Sequence, residues 1–314
     1  MDGRLTGVPT SKKGPALSHQ FFVDDRLLFC RANLSQWNHL TSILQKYEEA
    51  LGQKMNANKT VIFFSRNTLN EDKQHIQEIA GIPTKQRYDT YLGLPTLVER
   101  SCIGAFKCIK ERVWKCLQDW KLKFLSQARK VILLKVVIQA VPTFCMGVFR
   151  LPKALCKEIN SVMVRFFWDH QANETKIHWM SWSKMGLSKN HGSMGFRDFV
   201  CFNKALLAKQ IWRLWKTPNS LIARIMKGKY YLTCMVLEAS LGNRPSFAWR
   251  SIQGSSDLVK NGLVWRVGNG KTIRIWKDRW LPRPTTYTVY SPPSILDPNA
   301  AVSQLIAADT NWWN

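Results

Sequence analysis

The chain has 314 residues, 45% of them apolar, which suits a folded protein of two or three compact units and excludes a disordered one. Its formal net charge of +25 favours a polyanionic partner through release of condensed counterions, so nucleic acid leads the partner classes. A charge that serves only solubility, or an anionic membrane surface, stays open on composition alone. Residues 1–100 carry 13 Lys and Arg against 10 Asp and Glu, and residues 101–314 carry 33 against 11, so most of the excess lies beyond residue 100. The eight cysteines contain no CxxC pair and the six histidines no HxxH or HxxxH spacing, so no zinc site is assigned. A reduced intracellular compartment, nucleus or cytoplasm, is the simpler reading. The N-terminus lacks an apolar signal region, and no apolar run reaches the roughly 18 residues that a membrane span requires.

In chain order, Met1 to Leu17 is polar and punctuated by Gly and Pro, and it reads as a flexible loop or frayed strand. HQFFVDDRLLFC at His19 to Cys30 sets an Asp pair between two strand-prone apolar clusters, which predicts a hairpin with Asp24 and Asp25 at its turn. Leu34, Trp37, Leu40, Ile43, Leu44 and Tyr47 follow as one helical face, with Ser35 as a candidate cap and Gly52 as the stop. VIFF at Val61 to Phe64 predicts a short strand, and a polar helix is expected over Asn70 to Ala80. YLGLP at Tyr91 to Pro95 is a short apolar run broken by Gly93, a turn between units.

Phe106, Ile109, Val113, Leu117 and Trp120 predict a basic amphipathic helix, with Lys107, Lys110, Arg112 and Lys115 on its other faces. Val131 to Val141 is nearly apolar throughout and reads as a buried helix capped by Ser126 and ended by Pro142. Leu155, Ile159, Val162, Met163 and Phe166 give a third stripe, so residues 101–168 form a small helical bundle. Ala205 to Trp215 is a further helix candidate. Trp265 to Trp280 has two strand-prone arms around Gly268, Asn269 and Gly270, the composition of a tight hairpin. Its GNGKT is no phosphate loop, because Trp265 stands where GxxxxGK[ST] needs glycine. Beyond Pro282 the chain is Pro-rich and loosely patterned, and Trp312, Trp313 and Asn314 read as a sequence cut off.

Phosphoryl transfer by two metals needs carboxylates that hold divalent cations a few ångströms apart, which adjacent aspartates at a hairpin turn can serve. An Asp pair in a turn is also common for hydrogen-bonding reasons alone. HQFFVDDRLLFC resembles the FADD-box hairpin of plant LINE-type reverse transcriptases, encoded by non-LTR retrotransposons, and later segments follow in that family's order. LGQKMNANKTVIFFS at Leu51 to Ser65 resembles the next palm segment, and YLGLP resembles the element that grips the primer end. Trp120 to Phe144 looks like the thumb, and Gly195 to Trp215 with Trp265 to Pro282 resembles the Trp-rich connection. The resemblance implies that Asp24 and Asp25 are catalytic carboxylates for Mg2+, that Lys59 assists pyrophosphate departure, and that Tyr91, Leu92 and Gly93 support the primer end. Read without the resemblance, Lys59 is an ordinary solvated lysine and residues 91–93 pack at a boundary.

Departures from the family pattern set limits. Val23 and Arg26 replace the small residues that usually flank the aspartates, and Arg26 beside them would compete with a cation. Eighteen residues precede the box, whereas the family carries fingers and a palm strand with a further aspartate there. The expected architecture is α+β: a flexible segment at 1–17, a partial palm at 18–95, a helical thumb-like region at 96–170, a basic Trp-rich connection at 171–283 and a loosely ordered tail at 284–314. The chain is expected not to polymerise efficiently by itself, with RNA and DNA as template-primer partners and a partner chain as one conceivable source of the missing palm. A residual RNA- or DNA-binding protein without catalysis is the alternative, and a decayed element with no selected role is a third. Basic residues interleave with aromatics at Lys209 to Lys216 and Arg274 to Trp280. Such tryptophans more often serve a core than a base platform, so binding is assigned to the charges.

Overall fold

The computed structural model describes residues 5–85, 90–96, 98, 102–121, 125–168, 177–282, 286–307 and 313. The chain forms two compact units, residues 1–255 and 256–314. Helices dominate and the strands are few and short, an α+β architecture as the sequence predicts. Leu122 to Phe124 of the thumb-like segment, and Trp312 and Asn314, lie outside the described residues.

The first unit opens with a small antiparallel pair, β1 (Val8–Pro9) and β2 (Ala16–Leu17), inside the segment for which the sequence allows a loop or a frayed strand. A hairpin follows, β3 (His19–Phe22) with β4 (Asp25–Leu28), in which Phe22 pairs with Asp25. Helix α1 (Leu34–Leu51) begins at Asn33, whose side chain accepts a hydrogen bond from the Gln36 amide at 2.8 Å. The cap is thus Asn33 and not Ser35, because the Asn33 backbone is extended while Ser35 already lies inside the first turn. Gly52 ends the helix in the left-handed region (φ 66°), which glycine enters without Cβ strain. VIFF does not form a ladder: Ile62 makes one parallel bridge to Thr84, just beyond α2 (Asn70–Ala80). The Ile62 amide bonds Pro83 and its carbonyl accepts from Lys85, so the segment finds backbone partners at one residue only.

A second hairpin, β5 (Thr90–Tyr91) and β6 (Leu94–Pro95), precedes a short helix α3 (Cys102–Ala105) and then α4 (Lys107–Lys121). The predicted stripe of α4 is buried at Ile109, Val113 and Leu117, with Phe106 just before it. Helix α5 (Gln127–Leu133) is capped by Ser126 as expected. It then loosens into a π-helical turn at Leu134–Ile138 and stops before Pro142, which caps the short α6 (Thr143–Met146). This run is not buried all round: Leu134 and Ile138 face the core, whereas Ile132 and Val136 are exposed. Helix α7 (Lys153–Trp168) buries all five residues of its predicted stripe. Trp120 meets Phe166 at 6.1 Å, joining α4 to α7.

After α8 (Trp182–Met185), helix α9 (Phe199–Lys216) is longer than the sequence candidate, starting at the Asp198 cap. One apolar core runs from Phe106 through α7 to Met185, Phe196 and Phe199, so the thumb-like bundle and the first part of the connection share an interior. Asn203 fastens them. Its carboxamide accepts from the Leu151 amide at 2.8 Å and donates to the Met146 and Phe149 carbonyls at 2.7 and 2.9 Å. The Met146 carbonyl ends α6 and the Phe149 and Leu151 groups lie in the link to α7, where helix ends and loops leave backbone groups in need of partners. Helix α10 (Leu221–Tyr230) is followed by α11 (Phe247–Gln253), whose fully buried Trp249 stacks on Tyr230 and Tyr231. The N-terminal loop reaches α10, where Ser11 Oγ donates to the Gly228 carbonyl at 3.0 Å. A Cβ on Gly228 would come within 2.7 Å of Gly14 Cα, so glycine is required in the last turn of this helix despite its cost.

The second unit begins with α12 (Ser256–Gly262). Its predicted hairpin over 265–280 does not form. The arms share one bond, Trp265 N to Arg279 O, while Ile273 and Ile275 pair instead with Val302 and Ala300. The reason is burial: Ile273, Ile275, Ala300 and Val302 make a small core, and the pairing brings them together. Gly270 (φ 66°) lies against this segment, where a Cβ would stand 2.6 Å from the Ser303 amide nitrogen. Ala300 and Val302 thus belong to a packed element inside the stretch read as a loose tail.

Asn203→Ala is expected to lower unfolding stability by about 3 kcal/mol, since it leaves three buried backbone groups without a partner. Urea unfolding followed by circular dichroism measures this, and a change within experimental error would mean the link is solvated.

Candidate functional site

The β3–β4 hairpin places Val23 and Asp24 in a two-residue turn and Asp25 at the start of β4. The turn therefore carries Asp24, while Asp25 is already strand. Val23 adopts φ 51°, a conformation rare for a β-branched residue, and it is 83% exposed, so no packing compensates the strain. Both aspartates are exposed. Arg26 is drawn away from them: its Nη2 donates to Tyr47 Oη at 2.8 Å and Gln53 Oε1 at 3.1 Å, with the guanidinium 4.2 Å from the Tyr47 ring centroid. Successive side chains of a strand point to opposite faces, which separates Arg26 from Asp25. The competition expected between Arg26 and a cation is therefore replaced by a contact of Arg26 with the C-terminal end of α1.

Lys59 lies exposed in a turn organised by Asn56, whose carbonyl accepts from the Lys59 amide at 3.1 Å. Among the described residues no hydrogen bond or ion pair joins Lys59 to Asp24 or Asp25. Leu92 and Gly93 both take positive φ (51° and 75°) between the paired Tyr91 and Leu94, the signature of a type I′ hairpin turn. A Cβ on Gly93 would sit 3.8 Å from the Arg112 guanidinium, so this turn lies beside the basic face of α4.

A two-metal centre needs several carboxylates converging on its cations. Among the described residues no three His, Cys, Asp or Glu side chains gather as a metal ion requires. Asp24 and Asp25 alone do not fit a magnesium pair. Three of the described thiols are held in their protonated form. Burial pushes the Cys145 thiol up to about 12, with Cys108 adding to the rise, and burial raises Cys156 as well. Cys201 is exposed, yet the Asp198 carboxylate holds its thiol above the usual range.

The positive charge divides into inner and outer parts, a division invisible in the sequence. Lys130 is buried and donates to the Phe167 carbonyl at 3.3 Å. Lys135 donates to the Met194 carbonyl, and desolvation, followed by the Lys189 charge, lowers its pKa. On α4, Lys107 pairs with Glu111 at 3.6 Å and Lys110 with Glu158 at 2.6 Å. The outer face of α9 is different: Lys204, Lys209, Arg213 and Lys216 are exposed, and no acidic residue occurs in that helix. The tryptophans divide likewise. Trp276 and Trp280 donate their indole N–H groups to the Ser291 and Ile275 carbonyls, and Trp249 is fully buried, as core residues. Trp212 is 42% exposed. Among the described residues no helix is long and apolar enough to cross a membrane.

These features define a basic α+β protein with an acid-free cationic helix and an exposed Asp pair at a hairpin tip. No family model matches the chain. Similar proteins include the "Uncharacterized mitochondrial protein AtMg00310" of Arabidopsis thaliana, 42% identical over 143 residues, which are 45% of this chain and 93% of that protein. The chain belongs to the family of that plant protein. The "Putative ribonuclease H protein At1g65750" of Arabidopsis thaliana is 33% identical over 191 residues, 60% of this chain. The chain spans 31% of the length of that second relative.

Adding Mg2+ is expected to leave the Tm of the chain unchanged, because a ligand stabilises only through a site in the folded state. A rise in Tm that Asp24→Asn abolishes would show that the tip binds the ion. Val23→Gly is expected to raise stability by about 1 kcal/mol by removing the left-handed penalty; a loss of stability would show that the valine conformation is supported by its surroundings.

Proposed function

We propose that this chain is the C-terminal part of a plant LINE-type reverse transcriptase, which binds RNA or DNA and does not polymerise by itself. The observation that carries the reading is the contrast between its two charged features. Asp24 and Asp25 stand exposed at a hairpin without a third carboxylate among the described residues, while α9 presents four cations and no acid. The first leaves two-metal phosphoryl transfer short of a ligand. The second leaves backbone-directed binding intact, since phosphate contacts need cations and no catalytic geometry.

The ordered series of segments from the hairpin through the Trp-rich stretch supports the descent. The relative whose name carries ribonuclease H is named for an activity on nucleic acid, which fits a retroelement setting. The 91–93 turn supports the reading through its place beside Arg112, where a strand end would meet positive charge. Magnesium-dependent synthesis would need a further carboxylate beside Asp24 and Asp25, from a longer chain or a partner.

The purified chain is expected to shift a labelled RNA or single-stranded DNA in a gel at low salt, with affinity falling linearly in log–log form as salt rises. It is expected to add no nucleotides to a primed RNA template with Mg2+. Extension of the primer would overturn the inactive reading, and absence of any shift at low salt would overturn the binding one.

A further inference from the structure

Seven cations and no acids occur between Asp198 and Glu238, a span covering α9 and α10. On α9 the exposed positions include Lys204, Lys209, Arg213 and Lys216, which extend about 18 Å along the helix. Trp212 shares the face of Lys209 and Lys216, one turn from each, while Lys204 and Arg213 lie on the two flanks of that face. It is held rather than loose. Its ring meets Trp215 edge-on at 5.2 Å, and Lys216 Nζ lies 5.4 Å from both ring centroids. An exposed ring fixed in orientation on a helix with cations and no acid is unlike Trp276 and Trp280, which are tied inward through their indole nitrogens.

A second observation extends the surface. The N-terminal loop docks on α10 through Ser11 and the Gly14–Gly228 approach, across 217 positions of sequence. Lys12 and Lys13, both exposed, are thereby carried to the helix bearing Lys227 and Lys229. Folding thus brings like charges together from distant parts of the chain, which costs self-repulsion unless a polyanion neutralises it.

We propose that the outer face of α9, continued by α10 and the docked Lys12–Lys13 loop, is a single-stranded nucleic-acid surface on which Trp212 stacks a base. The inference rests on the nucleic-acid-binding reading above and specifies where and in what form the strand binds. The lysines and Arg213 track phosphates without reading sequence. The indole face accepts any unpaired base, because every base has a π-face, whereas a duplex keeps its bases stacked on each other. Single strands are therefore preferred over duplex of equal length.

The test is fluorescence anisotropy of the full chain with labelled oligo-dT and with a duplex of the same length, over a salt series. Trp212→Ala is expected to weaken oligo-dT binding roughly tenfold with the salt slope unchanged, and to leave duplex binding unaltered. The triple variant Lys209→Gln, Arg213→Gln, Lys216→Gln is expected to lower the single-strand salt slope by about 2. Lys12→Gln with Lys13→Gln is expected to lower it by about 1. All these side chains are exposed, so circular dichroism should show unchanged folding. If the unsubstituted chain binds neither probe, the nucleic-acid reading itself fails. If it binds and these variants bind with the same affinity and slope, the reading stands and this surface is wrong. Equal loss of oligo-dT and duplex binding in Trp212→Ala would overturn the stacking role.

Discussion

The first unit depends on one buried carboxamide. The Asn203 oxygen and amide hydrogens bond three backbone groups, one at the end of α6 and two in the link to α7. That link leaves the helical ladder between Met146 and Leu151, and its polar groups are enclosed by Phe149, Leu151 and the α9 residues above them. Without an internal partner each would lose its water on folding with no return. A polar residue in the middle of the inner face of α9 therefore registers that helix against the bundle, at a point where an apolar side chain would pack but could not align. The common interior from Phe106 to Phe199 follows from this fixed register.

Registering α9 also decides which of its residues meet solvent. With Asn203, Leu207, Ile211 and Leu214 inward, Lys209, Trp212 and Lys216 must face out. The same packing takes other cations out of use. Lys130 and Lys135 stretch their stems along apolar surface and end on backbone carbonyls, so they act as fasteners. Net charge therefore overstates the cationic surface, and the acid-free faces concentrate what is left.

At the hairpin the balance is reversed. The aspartates are presented to solvent beside a strained Val23, and among the described residues no third carboxylate converges on them. Arg26, the substitution that looks most damaging in the sequence, is bonded to Tyr47 and Gln53, and the strand's alternation sets it on the other face from Asp25. Adjacent letters in a strand are not adjacent charges.

Helices were legible where periodicity was long. The stripe of α7 buries as read and that of α4 does so up to Leu117, with Trp120 partly buried, Gly52 and Ser126 act at the ends they mark, and α2 keeps its expected bounds, because spacing along one helix is local geometry. The Asp pair and its hairpin were legible for the same reason. What sequence could not supply were pairings between distant segments. VIFF and the arms around Gly268 have the composition of strands, yet one forms a bridge to Thr84 and the other pairs Ile273 and Ile275 with residues 300–302. Strand composition states a readiness to pair and names no partner; burial of Ala300 and Val302 selected it. By itself the sequence determined helix faces, overall charge and kinship, all of which are carried by local order. Only the tertiary structure decided which cations reach solvent, which tryptophans are core, and that Lys12 and Lys13 lie with α10, because those depend on contacts that no local pattern encodes.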